Sequence, residues 1–170
     1  MSVQSSQSRD EVVLRHPGAE DGNQLWEITK RSETLDLNSP YHYLLMCRHF
    51  AASSVVAEVN GRIAGFVTAY IPPESSDTLF VWQVAVDRKF RGQGLARKML
   101  AFAFHHPQRP LSYLEATITP SNTASICLFT AAAQDLDAPF AFNETFFSQK
   151  NFGSAEHECE MLFRIGPIGL

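Results

Sequence analysis

Long apolar runs are missing from this 170-residue sequence, since none approaches the roughly 20 residues that a membrane-spanning helix needs. Residues 1–10 are polar and lack the apolar core of a signal peptide. We therefore expect a cytoplasmic protein with no membrane partner. We expect residues 1–10 to form a flexible tail and residues 11–170 to form a single domain, because a chain of this length suffices for one full core.

Cysteine and basic residues are also scarce. The three cysteines, Cys47, Cys127 and Cys159, are odd in number and widely spaced. This spacing predicts neither a disulfide framework nor a zinc motif, so we expect free thiols and no metal. The 14 Lys and Arg residues are outnumbered by 18 Asp and Glu residues, which gives a formal net charge of −4. Nucleic acid is therefore not an expected partner, because binding phosphates needs a basic surface, whereas a cationic small substrate is compatible.

Two common phosphate-binding motifs are absent, because neither Gly-x-Gly-x-x-Gly nor Gly-Lys-Ser/Thr occurs. The segment 79–100 instead reads LFVWQVAVDRKFRGQGLARKML, which has a strand pattern over 79–86 and then a helical pattern. Glycines between the two allow a close backbone approach, and the first N–H groups of the helix favour an anion such as a diphosphate. The alternative is an ordinary strand–turn–helix whose glycines serve tight packing.

Further strand and helix patterns surround this segment. Asn60-Gly61 predicts a two-residue hairpin turn, and Ser39-Pro40 predicts the N-cap and first residue of a helix. The phenylalanine-rich segment 139–153 predicts a strand over 139–143 followed by a lid-like loop, and a last strand over 157–165 closes the sheet. The predicted order is β-α-α-β-β-β-α-β-α-β-β.

The glycine turn resembles the acyl-CoA loop of the GCN5-related N-acetyltransferases. Their signature, Arg/Gln-x-x-Gly-x-Gly/Ala, is filled here by Arg91, Gly94 and Ala96, after a strand with alternating valines. The resemblance implies the α/β (α+β) acetyltransferase fold, with a mixed central sheet of about six to seven strands and about four helices. It also implies acetyl-CoA as co-substrate, bound where the central strands splay apart.

The same resemblance implies which residues hold CoA. The turn would supply amides and cations for the diphosphate, and the preceding strand would pair with the pantetheine arm. These residues are Val84, Val86, Arg91, Gly92, Gln93, Gly94, Ala96 and Arg97, and Asn122 is a further candidate for CoA or water positioning. A backbone N–H near Val84 would stabilise the thioester oxygen as it gains charge.

Longer stretches narrow the resemblance. The segments 36–50, 54–57, 82–86 and 117–122 are similar to those of the L-2,4-diaminobutyrate acetyltransferases of ectoine biosynthesis. This implies acetyl transfer to the 4-amino (γ) group of L-2,4-diaminobutyrate. The product, N4-acetyl-L-2,4-diaminobutyrate, is the precursor that cyclises to the osmoprotectant ectoine.

A substrate with two ammonium groups needs carboxylates or aromatic faces around it. Asp36 is the first candidate anchor, although a loop aspartate is more often a surface or capping residue. Trp82 offers either a cation–π wall or plain core packing, and Tyr41 offers either a hydrogen bond or a half-buried helix face. These three form the predicted substrate site together with a glutamate, Glu160.

Two glutamates, Glu115 and Glu160, fall on otherwise apolar strand patterns, where a carboxylate needs a partner. The partner is either an arginine on the neighbouring strand or the substrate amine, and in the second case the glutamate is an anchor or general base. His157 is a weaker catalytic candidate, since a strand would place it opposite Glu160 unless the strand begins later. Glu158 is the alternative to Glu160 if the register differs.

One departure from the family concerns the thiolate. The family pattern of Asn, then Ala or Ser, then Tyr reads Asn122, Ser125 and Phe129 here, and Phe129 has no proton to give. The thiolate then leaves unassisted, takes a proton from water or uses another group. Two alternative functions stay open, namely acetylation of a peptide N-terminus or lysine and acyl-CoA sensing without turnover. We also expect a homodimer, with segment 139–152 as the candidate contact.

Overall fold

One mixed β-sheet organises the chain, which we describe from a computed structural model covering residues 11–105, 108–153 and 156–169. The predicted tail, residues 1–10, lies outside the described residues. The strands follow one another across the sheet in the order β1-β2-β3-β4-β5-β7-β6. Their bounds are β1 Val12–Arg15, β2 Val55–Val59, β3 Arg62–Tyr70, β4 Thr78–Val86, β5 Tyr113–Ile118, β6 Phe140–Phe147 and β7 Glu160–Ile165.

Helices cover both faces of this sheet. The α-helices in the described residues are α1 Gly22–Ser32, α2 Pro40–His49, α3 Leu95–His105 and α4 Thr123–Asp135. Neighbouring residues on a strand point to opposite faces, and on β2 Val55 packs in the core with α3 and α4 whereas Val56 packs in the core with α1 and α2. The predicted fold, a mixed sheet flanked by four helices, is confirmed.

Local sequence signals set several element boundaries. The Ser39 side chain accepts a hydrogen bond from the His42 N–H at 3.3 Å, and Pro40 is the first residue of α2, as the N-cap pattern predicts. Asn60 and Gly61 have φ angles of 51° and 76° and form the tight turn between β2 and β3. These two predictions are confirmed.

The C-terminal part departs from the prediction in two ways. The strand predicted over 139–143 extends to Phe147, because its backbone stays paired with β7 beyond the predicted end, so the lid-like loop is shorter than expected. The last strand begins at Glu160 rather than at residue 157, and it lies between β5 and β6. The outer edge of the sheet is therefore the phenylalanine-rich β6.

Candidate active site

The central feature of the site is a gap between β4 and β5. These two parallel strands are paired only through Thr78–Phe80 on β4 and Tyr113–Glu115 on β5. Beyond Phe80, β4 is paired with β3 alone, so the strands diverge as the resemblance implies. The unpaired edge of β4 presents backbone donors and acceptors that an extended ligand can use as a strand would. A cavity of about 820 Å³ opens there, lined by residues 81–86 and 116–119.

A bulge in β4 directs Trp82 at this gap. On β3, Thr68 is paired with Gln83 and Ala69 with Val81, so Trp82 is the extra residue between two pairs. A bulge of this kind re-aims a side chain and bends the strand. The Trp82 side chain is 48% exposed, lines the cavity, and has its ring centroid 5.6 Å from that of His42. Trp82 is therefore a wall of the cavity rather than a core residue.

The glycine turn closes one end of the cavity. Gly92 and Gly94 have φ angles of 76° and 71°, a left-handed conformation that favours glycine, and a Cβ at either position would meet nothing within 4 Å. The first intrahelical bond at the start of α3 runs from the Lys98 N–H to the Gly94 carbonyl at 3.1 Å. The N–H groups of Leu95, Ala96 and Arg97 consequently have no helical acceptor, and the helix dipole adds partial positive charge there.

The residues predicted to hold CoA surround this cavity, apart from Gln93, which is not among the lining residues. Three of their side chains also have contacts within the protein. Arg91 Nε donates to the Val86 carbonyl at 3.1 Å, Arg97 pairs with Asp135 on α4, and the Asn122 side chain caps α4 by accepting from the Ser125 N–H at 3.1 Å. For Asn122, the capping contact is sufficient to explain an asparagine at this position.

A carboxyl group with a perturbed pKa, that of Glu160, lies behind the cavity wall without being one of the lining residues. Glu160 begins β7, and its carboxyl accepts a hydrogen bond from the side chain of Thr117, which lines the cavity. Burial raises the pKa of Glu160. The Thr117 hydrogen bond and the His157 charge oppose that rise, while the negative charges of Asp36 and Glu158 add to it. Asp36, from the loop between α1 and α2, thus lies close enough for its charge to act on Glu160.

The remaining predicted residues have different surroundings. Glu115 is buried and forms an ion pair with Arg164 on β7, so it has the arginine partner that the non-catalytic alternative predicts. The His157 ring stacks on Phe152 with centroids 3.8 Å apart, and it lies before the start of β7. Glu158 accepts a hydrogen bond from the Ser121 N–H at 3.2 Å. Tyr41 is 67% exposed on the first turn of α2.

Phe129 occupies the place where the resemblance leads one to expect a tyrosine. It is buried, lines the cavity, and contacts Phe163 with ring centroids 5.7 Å apart. Among the described residues that line the cavity, none is a tyrosine, cysteine, histidine or lysine. The cavity wall therefore presents no side chain of the usual proton-donating types near this position.

Two residues that line the gap, Gln83 and Thr117, are not among the site residues predicted from the sequence. Gln83 is 7% exposed, lines the cavity, and donates from Nε2 to the Asp36 carbonyl at 2.8 Å. The signal was available, because a polar residue within an apolar strand pattern needs a partner, as it did for Glu115 and Glu160. Thr117 had no comparable signal, since threonine is common in strands.

This geometry agrees with the comparisons with known proteins. A sequence profile described as the acetyltransferase (GNAT) family matches residues 22–132, more than half of the chain. The chain belongs to the GNAT acetyltransferase family. Within the ranges that the structure describes, no group of three or more His, Cys, Asp or Glu side chains is placed to hold a metal ion. No helix in those ranges is long and apolar enough to cross a membrane.

Two of the similar proteins within the GNAT family are diaminobutyrate acetyltransferases. L-2,4-diaminobutyric acid acetyltransferase from Marinococcus halophilus is 50% identical over 162 residues, which cover 95% of this chain and 93% of that protein. The solved diaminobutyrate acetyltransferase EctA from Paenibacillus lautus, a complex with L-2,4-diaminobutyric acid and coenzyme A, superposes with a TM-score of 0.88 at 38% identity, covering 95% and 98% of the two chains. The ribosomal-protein-S18-alanine N-acetyltransferase from Escherichia coli shares the fold, with a TM-score of 0.67 at 16% identity over 94% and 96% of the chains.

The raised pKa of Glu160 gives a testable prediction for stability. A carboxyl whose pKa is raised by folding favours the folded state less as pH climbs from its unfolded pKa, about 4.3, through its folded pKa. Thermal unfolding should be measured for Glu160→Gln and wild type at about pH 4 and about pH 8. The unfolding temperature of the variant, relative to that of wild type, should be higher at the higher pH.

Glu11→Gln, at an exposed position just before β1 on the opposite edge of the sheet, is the matched control for replacing a carboxyl by an amide, and the change with pH at Glu160→Gln should exceed any that it shows. A Glu160→Gln difference that stays constant with pH would contradict a raised pKa at this position.

Proposed function

We propose that this GNAT enzyme transfers the acetyl group of acetyl-CoA to the 4-amino group of L-2,4-diaminobutyrate. One observation carries the proposal: the gap between β4 and β5 has an anion-binding glycine turn at one end, and Glu160 and Asp36 lie directly behind its lining residues Thr117 and Gln83, to which they are hydrogen-bonded. The co-substrate is anionic at its diphosphate, and the acceptor carries two ammonium groups. The charge at each end of the gap therefore suits the molecule that we assign to it.

The CoA end is assigned from backbone geometry. The amides from Gly92 to Ala96 would bind the diphosphate, and the unpaired edge at Val84 and Val86 would bind the pantetheine arm as an added strand. Arg91 and Arg97 supply positive charge there, and Arg97 would exchange its contact with Asp135 for phosphate, since both groups are exposed. The N–H near Val84 stabilises the thioester oxygen in the transition state.

The diamine end is assigned from charge. We assign Asp36 and Glu160 to the two ammonium groups, Trp82 to a cation–π contact with one of them, and Tyr41 to a hydrogen bond at the entrance. His157 reaches this end through its electrostatic contact with Glu160. Glu115 is the weaker catalytic candidate, because its carboxylate is already neutralised by Arg164.

Transfer requires the loss of two protons from the 4-ammonium group. The first leaves to make a neutral nucleophile, and we assign it to the Glu160 carboxylate, whose raised pKa suits a general base. The nitrogen then attacks the thioester carbon, the C–S bond breaks, and the second proton passes from the nitrogen to a water molecule as the amide forms. The CoA thiolate takes its proton from water, because Phe129 has no hydroxyl to offer.

Two broader assignments follow from this activity. The product, N4-acetyl-L-2,4-diaminobutyrate, would serve the synthesis of the osmoprotectant ectoine. The reaction would take place in the cytoplasm, in keeping with the free thiols of Cys47, Cys127 and Cys159, which persist in a reducing compartment.

We also propose that the enzyme is a homodimer formed through β6. This strand is the outer edge of the sheet, and its open edge can pair with a second copy across a two-fold axis. Exposed aromatic residues cluster there, with between 40% and 46% of each residue exposed: Phe140, Phe146, Phe147 and Phe152. A patch of this kind on a small protein favours burial against another chain.

The substrate assignment predicts a ranking of acceptors. Release of CoA thiol should be at least about tenfold faster, as kcat/KM, with L-2,4-diaminobutyrate than with 2,3-diaminopropionate, ornithine or a lysine-containing peptide, because two carboxylates fix the distance between two ammonium groups. NMR of the product should show the acetyl group on N4. Comparable rates on peptides would favour the peptide acetyltransferase, and CoA binding without turnover would favour the sensor.

Asp36→Asn should raise the KM for L-2,4-diaminobutyrate by about tenfold, as the loss of one charged contact predicts. Glu33→Gln is the matched control, since Glu33 lies in the same loop but pairs with Arg88 on the surface. Its KM should match that of wild type.

The CoA assignment predicts different effects for two similar glycines. Gly92 and Gly61 both have a φ angle of 76°, and a Cβ at either would meet nothing within 4 Å. Alanine strains the backbone at both by about 1–2 kcal/mol, but only at position 92 does it disturb the amides of the turn. Gly92→Ala should weaken CoA binding by about tenfold in calorimetry, and Gly61→Ala by less than about twofold. Equal losses would contradict the assignment.

The dimer assignment predicts that wild type sediments at twice the mass of one chain and that Phe146→Glu sediments as a monomer. The charged side chain would have to be buried without a partner at the interface. Val13→Glu is the control, because Val13 is an exposed apolar residue on β1, the opposite edge of the sheet, and this variant should stay dimeric. A monomeric wild type would overturn the assignment.

A further inference from the structure

A buried hydrogen-bonded chain links helix α2, strand β4 and the loop that carries Asp36. The Tyr43 hydroxyl donates to Gln83 Oε1 at 3.0 Å, and Gln83 Nε2 donates to the Asp36 carbonyl at 2.8 Å. Tyr43 is fully buried and Gln83 is 7% exposed. The orientation of the Gln83 amide is fixed by its partners, because a backbone carbonyl only accepts and must therefore face the NH₂ group.

These two hydrogen bonds hold the Asp36 loop against β4, the strand along which we place the acetyl group. Gln83 lies between the bulged Trp82 and Val84, on the stretch of β4 that lines the gap. The loop is also fastened at its beginning, where the Ser32 hydroxyl accepts from the N–H groups of Thr34 and Leu35 at 3.4 and 3.3 Å. At Asp36 itself, the Gln83 amide is the contact that ties the backbone to the sheet.

We infer that Gln83 is a positioning residue that sets the distance between the ammonium anchor Asp36 and the acetyl-bearing edge of β4, and that it thereby selects the length of the diamine. This inference rests on the proposed function. Gln83 acts through Asp36 rather than on the reacting atoms. Tyr43 keeps the glutamine amide in place, because its ring is packed against Phe66 with centroids 6.2 Å apart and it cannot follow the loop outward.

A buried hydrogen bond at this point does more than stabilise the fold. Without the Gln83 amide, the Asp36 carbonyl loses its partner and turns to water, which moves the carboxylate that follows it on the same residue. When the Asp36 carboxylate is displaced, a diamine of the right length binds more weakly, and the site discriminates less against a longer diamine. The turn at Gly92 lies outside β4, and the pantetheine arm is assigned to the backbone at Val84 and Val86, so the loss of the Gln83 side-chain amide should leave CoA binding within about twofold.

The test compares Gln83→Met with wild type. Methionine is similar in length but has no N–H to donate, so the KM for L-2,4-diaminobutyrate should rise by about tenfold while the KM for acetyl-CoA stays within about twofold. The kcat/KM ratio of L-2,4-diaminobutyrate to ornithine should fall by about threefold or more. Should thermal unfolding show that Gln83→Met does not fold, Gln83→Asn replaces it with the same expectations, since its amide is too short to span both partners.

Ser54→Ala is the matched control for the loss of a buried hydrogen bond. The Ser54 hydroxyl is fully buried and accepts from the Ala69 N–H at 3.2 Å, away from the loop. This variant should lose stability but keep both KM values. If wild type acetylates L-2,4-diaminobutyrate and the Gln83 variants keep the wild-type KM for it and the wild-type preference over ornithine, the role of Gln83 is overturned while the proposed function stands. If wild type does not acetylate it, the proposed function fails first.

Discussion

The brevity of the β4–β5 pairing is the constraint on which the rest of the site depends. Two parallel strands in the middle of a sheet normally share hydrogen bonds along their whole length, yet these two share them over only three residue pairs. The missing partners leave the edge of β4 unsatisfied beyond Phe80, which is costly unless water or a ligand completes it. The bulge at Trp82 bends β4 at the same level and turns a large aromatic side chain towards the opening.

Charge then divides this opening into two ends. The glycine turn and the first amides of α3 form a region of partial positive charge made of backbone, which no side-chain rotation can remove. Behind the wall of the gap, burial, Asp36 and Glu158 raise the pKa of Glu160 against the opposing effects of Thr117 and His157. A half-buried carboxyl next to another negative charge is unfavourable for the fold alone, and a cationic substrate relieves that repulsion. Glu115 does not experience this repulsion, because its carboxylate is paired with the Arg164 guanidinium.

The sequence reveals those parts of the molecule that are encoded locally. The Asn60-Gly61 hairpin, the Ser39 cap and the strand–turn–helix at 79–100 depend on neighbouring residues, and all three are found as predicted. The end of β6 and the start of β7 depend on pairing between distant segments, so they could not be located from local patterns. The Glu115–Arg164 pair depends on the register of β5 and β7, 49 residues apart. Gln83 is a similar case. Its polarity within an apolar strand is evident from the sequence, but its partners Tyr43 and Asp36 are distant along the chain.

A crystal structure with CoA and L-2,4-diaminobutyrate bound together would show whether the gap between β4 and β5 holds both molecules. Pantetheine should lie along the unpaired edge of β4 at Val84 and Val86, the diphosphate on the amides from Gly92 to Ala96, and the 4-amino group within hydrogen-bonding distance of Glu160. CoA bound outside the gap between β4 and β5, or a diamine whose own carboxylate faces Asp36 and Glu160, would contradict this placement of the two molecules.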